Sequence, residues 1–244
     1  MYNPCNTGRS VAVTERRPPC EVARIPQSRY LDGEPNGSMS TIAPRFSRFE
    51  CRLRNLHENE IALRLILGCI YLVAGRLDVK IVPLFVQNNM HYYRVYVKIL
   101  VKTDPEDNMG YIIQCKTCGH RKVQKEKSNS CEICNGKAES AGPLWIGEMY
   151  DKIFVDSMLS EQTKFAVDKS CEKTLLKCQK EIGMSPSFFT LDDIARKMRD
   201  APKSLEKTIE KLQKSGFNAS PTSLNPSGFK TSARIDEIIQ VLKN

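Results

Sequence analysis

A chain of 244 residues that is 41% hydrophobic can bury a core, and with 27% charged residues it is not a wholly disordered polymer. Its net charge of +9 favours an anionic partner, nucleic acid foremost, over a neutral or acidic surface. Met1–Val13 holds no apolar leader, and the most apolar run, residues 61–74, is shorter than the ~20 residues a bilayer needs, so a secreted disulfide scaffold and a membrane span are both excluded and the expected location is cytoplasmic.

In chain order, residues 1–55 come first, and every basic residue among them is an arginine, whereas lysine predominates afterwards. Proline and glycine are scattered through this segment, and no apolar period of 2 or 3.6 runs along it, which predicts an irregular, arginine-rich stretch. Residues 57–76 read as a helix apolar almost all round, with Cys69 as a core thiol. Val79–Val86 and Tyr92–Val101 read as strands, the second alternating Val95, Val97, Ile99 and Val101 with Arg94, Tyr96, Lys98 and Leu100. A polar loop, Asp104–Gly110, precedes a cysteine-bearing module at 111–139. The remainder reads as helical. A short helix at Asp151–Leu159 is followed by a longer one, Lys164–Ile182, ending at Gly183. Leu191–Arg199 has Thr190 as its N-cap and Asp193 at N3, and Pro202 opens Lys203–Ser215, which ends at Gly216. A turn-rich stretch, Asn218–Thr231, and a helix near Ile235–Leu242 complete a pattern with a winged-helix outline.

Two C-x-x-C pairs, Cys115/Cys118 and Cys131/Cys134, stand twelve residues apart. Zinc takes four ligands in a tetrahedron, and each pair supplies two thiolates, so the site would be closed and structural, with no open position for a reacting water. Gly119 and Gly136 follow the two turns, where a positive φ is expected. His120 is expected to face solvent beside the knuckle. A four-cysteine ribbon joined to a winged helix implies a nucleic-acid-binding module. It does not by itself imply an enzyme.

The residues around the ribbon add a resemblance. Ala141-Gly142-Pro143-Leu144-Trp145-Ile146-Gly147, followed by Asp151-Lys152-x-Phe154-Val155, closely resembles a segment of the tRNA (guanine-26) N2-dimethyltransferases. So do His57-Glu58, Ala62-Leu63-Arg64, Pro83-Leu84 and His91-Tyr92-x-Arg94-Val95 upstream, and Asn225-Pro226-x-Gly228-x-Lys230-Thr231 downstream. The resemblance covers about 56–244. It implies methyl transfer from S-adenosylmethionine to guanine N2 in tRNA, with the donor held in a Rossmann-like N-terminal domain that the 55 preceding residues are too few to form. Within those 55, Tyr2-Asn3-Pro4 with Arg9-Ser10-Val11 is similar to the family's opening segment, which makes Arg9 the donor-contacting position. Glu34-Pro35-Asn36-Gly37-Ser38 is similar to the catalytic Asp-Pro-aromatic-Gly motif, with Glu34 as the acid and no aromatic to stack on a base.

The resulting expectation is an α+β chain. Residues 1–55 would be a remnant of the methyltransferase N-terminus, 56–104 the end of a truncated methyltransferase core, 105–150 the zinc ribbon and 151–244 a winged-helix-like tRNA-binding domain. His91, Tyr92 and Arg94 at a strand start, and Lys203 and Lys207 on a helix, are the candidate RNA contacts, against ordinary solvated faces. Trp145 is expected to pack the ribbon onto the helices. On this reading the chain keeps tRNA and zinc but has defective catalysis, possible completion by a second chain bringing the donor domain included. The alternative is a non-enzymatic RNA- or DNA-binding adaptor.

Overall fold

The computed structural model describes residues 9–12, 50–51, 58–89, 92–101, 107–165 and 168–243. Glu34, His57 and His91 lie outside them. The described chain is a mixed helix-and-strand fold with three antiparallel sheets.

The first sheet has the order β1-β4-β3, from Arg9–Ala12, Tyr92–Val101 and Val79–Asn89. The β3–β4 hairpin runs from Val79 opposite Val101 to Asn89 opposite Tyr92, with a bulge between Pro83 and Phe85, where proline has no N–H for the ladder. The second sheet has the order β2-β7-β5-β6, from Glu50–Cys51, Ala138–Trp145, Met109–Cys115 and Arg121–Gln124. β1 and β2 fall in the stretch expected to be irregular, because pairing with β4 and β7 supplies the order that their own sequence does not encode.

Helix α1, Glu58–Gly75, lies between these two sheets. Leu63, Leu67 and Ala74 enter the core of β3 and β4, while Ile61 and Leu65 pack with Ile112, Ala141 and Leu144 of the second sheet. Burial on two faces explains why the helix is apolar almost all round; only its last turns expose Leu72 and Val73.

Asp151 caps α2, Lys152–Glu161, by accepting from the Phe154 amide at 2.8 Å. The second helix starts later than the expected Lys164: a 3₁₀ turn at Gln162–Lys164 ends before Phe165, and Asp168 caps α3, Lys169–Glu181, with Gly183 at φ 78° beyond it. The third sheet, order β8-β10-β9, uses Phe189–Thr190, Gly228–Thr231 and Ala219–Pro221. Helices α4, Leu191–Met198, α5, Leu205–Lys214, and α6, Ile235–Lys243, close a separate core around Phe229, Leu212 and Ile238. Thr190 and Asp193 form a capping box on α4. α5 starts later than Pro202 suggests, because the Ser204 side chain accepts from the Lys207 amide and sets the cap there.

Candidate functional site

The hairpins of the second sheet bring Cys115, Cys118, Cys131 and Cys134 together, with all four Sγ atoms within 4.8 Å of one another. Cys115 and Cys134 stand 3.5 Å apart, and Cys118 and Cys131 3.6 Å. A tetrahedral ion with bonds of about 2.3 Å sets its sulfurs roughly 3.8 Å apart, close to these two separations, so the cluster could hold a single zinc ion. Amides of Cys118, His120 and Ile133 point at the sulfurs of Cys115, Cys118 and Cys131 at 3.4–3.5 Å, an arrangement that favours thiolates. Burial opposes ionisation of Cys115, but the Cys118 amide and the Cys134 thiol outweigh it and bring that thiol down to about 6. Burial and the neighbouring sulfurs push Cys118 up to about 12, even with the His120 amide working against them. Four sulfurs this close cannot all carry charge without a cation among them.

Two details of the knuckles differ from expectation. Gly119 has φ 81°, but at the second turn the left-handed residue is Asn135, φ 52°. Gly136 is needed for space: a Cβ there would sit 2.5 Å from Thr117 Oγ1 and 3.1 Å from Cys134 Sγ. His120 does not face solvent. It is 8% exposed, its Nε2 lies 3.2 Å from Glu132 Oε1, and it stands outside the four-sulfur set.

A second constellation joins segments far apart in sequence. Glu60 and Arg64 on α1, Glu181 on α3 and Lys230 on β10 are all at most 2% exposed. Glu60 Oε1 accepts from Arg64 Nε at 3.1 Å, from its terminal nitrogen at 2.9 Å and from Lys230 Nζ at 3.0 Å. Arg64 also donates to the carbonyls of Trp145 and Gly147, each at 3.0 Å. Lys230 Nζ lies 3.1 Å from Glu181 Oε2, and Glu181 Oε1 accepts from the Ser223 hydroxyl at 2.7 Å. Burial raises the Glu60 carboxyl, but Lys230 and Arg64 prevail and hold it below the ordinary range. Arg64, Lys230 and Glu181 border a cavity of about 330 Å³, with Tyr150 and Gly147 also in its wall. Sequence reasoning quoted Arg64, Trp145, Gly147 and Lys230 as pieces of separate motifs. Only the Glu60–Arg64 pair has a local spacing, i,i+4; the approach of Lys230 to Glu60 and of the Trp145 and Gly147 carbonyls to Arg64 has none.

A third contact ties the cysteine module to the C-terminal unit. Arg121 of β6 donates to the Phe188 carbonyl, pairs with Asp193 Oδ2 at 2.9 Å and lies 4.4 Å over the Phe189 ring. Burial lowers the Arg121 pKa to about 10, although Asp193 opposes the shift. Trp145 is buried, as expected, donating from Nε1 to the Glu148 carbonyl and resting on Tyr71.

The remaining candidates are dispersed. Arg9 lies in β1 opposite Ile99. Arg94 stacks over the Tyr92 ring at 4.8 Å. Lys203 donates to the Leu242 carbonyl at the end of α6, whereas Lys207 is exposed on α5. Every strand pairing among the described residues is antiparallel, so they contain no parallel strand–helix–strand unit of the kind that cradles a methyl donor.

The fold and the sulfur cluster define a cysteine-knuckle α+β protein whose module is docked on both sides. More specifically, the chain belongs to the N2,N2-dimethylguanosine tRNA methyltransferase family, whose model matches residues 40–243. It is 28% identical over 195 residues to the tRNA (guanine(26)-N(2))-dimethyltransferase of Methanobrevibacter smithii, covering 76% of this chain and 50% of that one. It is 26% identical over 211 residues to the corresponding enzyme of Methanothermobacter thermautotrophicus, covering 82% and 56%. Trm1 from Pyrococcus horikoshii, solved with S-adenosyl-L-methionine, is similar at a TM-score of 0.66 and 26% identity, over 78% of this chain and 51% of that one. The chain thus spans about half the length of the curated relatives it matches.

Proposed function

We propose that the chain serves S-adenosylmethionine-dependent N2-methylation of guanine-26 in tRNA, supplying the zinc-bearing and tRNA-engaging share of such an enzyme. The observation that carries this reading is the family match across residues 40–243, which runs through all three sheets. It disfavours a non-enzymatic adaptor, since a bare ribbon and winged helix would not need α1, β3 and β4. The four thiolates hold zinc as a structural ion, with no open position for catalysis. The order α3-β8-α4-α5-β9-β10 supports a winged-helix-like unit over 151–244. The boundaries at 104 and 150 fall between sheets, whereas that at 55 does not, since β1 pairs with β4 and β2 with β7. Tyr92 with Arg94, and Lys207, remain candidate RNA contacts, with His91 beside the first pair.

For catalysis, Glu34 would accept hydrogen bonds from the guanine amine and Arg9 would contact the donor. These 244 residues alone are expected to be defective, because methyl transfer needs the sulfonium and N2 held about 3–3.5 Å apart and the described strands build no donor cradle. A second chain bringing the donor domain gains no support from the relatives. Among the described residues no helix is long and apolar enough to cross a membrane, in keeping with work on tRNA in the cytoplasm. The test is to incubate the chain with unmodified tRNA and radiolabelled S-adenosylmethionine, then digest to nucleosides. The expected result is bound tRNA and no labelled N2-methylguanosine. Label that Glu34→Ala abolishes would overturn the assignment of defective catalysis.

A further inference from the structure

We infer that one face of α3 is a docking ridge for the phosphate backbone of RNA, an inference that rests on the tRNA reading above and gives it a location. Lys169, Lys173, Lys177 and Lys180 recur at intervals of four, four and three. At 3.6 residues per turn they fall within an arc of about 80° and along about 16 Å of helix. Lys169, Lys173 and Lys180 are exposed and Lys177 partly so. The opposite side of α3 is the one that packs: Cys178 and Glu181 are buried, and Leu175 and Ile182 rest on the first core. The ridge therefore points straight away from the molecule.

Its charge is uncompensated. Among the described residues, none of the four ammonium groups has a carboxylate within ion-pair distance; Lys207, Lys211 and Lys243 share that state without forming a row, whereas several other lysines of the C-terminal half are engaged. Lys152 pairs with Asp156, Lys164 with Glu161 and Lys214 with Glu210, while Lys197 and Lys203 donate to the carbonyls of Thr117 and Leu242. Two acids of α3 stand at pairing spacing, Glu172 three residues after Lys169 and Glu181 four after Lys177, but Glu181 is buried against Lys230 and no ion pair forms at either spacing, while Leu176 occupies the position four after Glu172. Like charges at this spacing repel along a helix, and a solvated face made for solubility would interleave acids, as α5 does with Glu206 and Glu210. A row of phosphates removes that repulsion. Lysine suits such a partner because it reads charge without base identity.

The experiment measures binding of unmodified tRNA to the full chain and to a K169Q/K173Q/K177Q/K180Q variant between about 0.05 and 0.2 M salt. The ridge predicts at least a tenfold weaker complex near 0.1 M salt and a log–log salt slope shallower by about 3.6, since each of the four phosphate contacts contributes close to 0.9. Thermal unfolding of the variant should be unchanged or shifted upward, as the removed groups repel one another. Unchanged affinity and slope in a variant that folds, with tRNA bound by wild type, would overturn the ridge and leave the tRNA reading standing. An equal loss per charge in K211Q/K243Q, two lysines off the ridge and given no RNA role, would show a diffuse field and also overturn it. So would loss of binding to phosphatidylserine vesicles with tRNA binding intact, which would assign the face to a lipid surface. A wild-type chain that binds no tRNA at low salt would remove the tRNA reading itself, and the ridge with it.

Discussion

At the scale of single residues, the buried ion cluster shows how the same charge is costly alone and favourable in company. Glu60 is fully buried, and burial is the largest influence on its carboxyl; Lys230 and Arg64 reverse it. Replacing Lys230 with Met keeps the volume but strips one cation from two buried carboxylates, Glu60 and Glu181. Breaking such a pair costs on the order of 3–5 kcal/mol, measurable as a lower urea midpoint. The effect should depend on pH with a definite sign. Because the folded Glu60 pKa is depressed, its stabilisation is full above the unfolded value of about 4.3 and is lost as pH falls through the lower folded value. The gap between wild type and Lys230→Met should therefore be widest at neutral pH and narrow below about pH 4.3. A gap independent of pH would show that lost packing, not charge, sets the cost. In the sequence, Arg64 looks like an interruption of an apolar run. One partner, Glu60, stands at the i,i+4 spacing that a sequence can suggest, but the Trp145 and Gly147 carbonyls lie 81 and 83 residues away, and nothing local signals them.

At the scale of elements, what the chain wrote locally was legible and what packing imposed was not. Thr190 and Asp193 carry a capping box in four residues, and α4 begins there. What the spacing could not show is that Asp193 also receives Arg121, 72 residues away, while Arg196 approaches its other oxygen at 2.9 Å. The two capping residues should therefore differ in cost. Thr190→Ala removes one cap, about 1 kcal/mol. Asp193→Ala also leaves the buried Arg121 guanidinium without its carboxylate and should cost about 2–4 kcal/mol. Equal costs in urea unfolding would show that the Arg121 contact contributes nothing. Similarly, the two C-x-x-C pairs announce their cluster because ligand spacing is short-range chemistry. The break between α2 and α3 was expected, but α3 was started too early, at Lys164, because Phe165, 68% exposed, reads as an apolar helical position, whereas Asp168 sets the cap. β1 and β2 were missed because a strand of four or two residues has no period of its own and exists only through its partner.

At the scale of the whole molecule, the cysteine module is the piece through which the others are held in place. Arg64 reaches from α1 to the module's last carbonyls, and Arg121 reaches from the module to the C-terminal unit. β6 carries Arg121 three residues after Cys118, and its register on β5 sets Gln114 opposite Arg121, so the position of this guanidinium depends on the knuckle. With zinc as the proposed ion, binding energy is folding energy for this module, and a strong chelator or Cys131→Ser should release the metal and loosen 115–138. The loosening should not stop there. Arg121 would lose its fixed approach to Phe188 and Asp193, and the start of α4 would lose a partner of its cap. Hydrogen exchange after metal removal should accelerate across 109–124 and also across 189–198, while the middle of α1, whose Leu63 and Leu67 are wholly buried against β3 and β4, stays protected. Elemental analysis beforehand should find about one zinc per chain. Acceleration confined to 115–138 would mean that the arginine contact carries no coupling. Full zinc retention by a chain lacking both Cys131 and Cys134 would place the metal elsewhere.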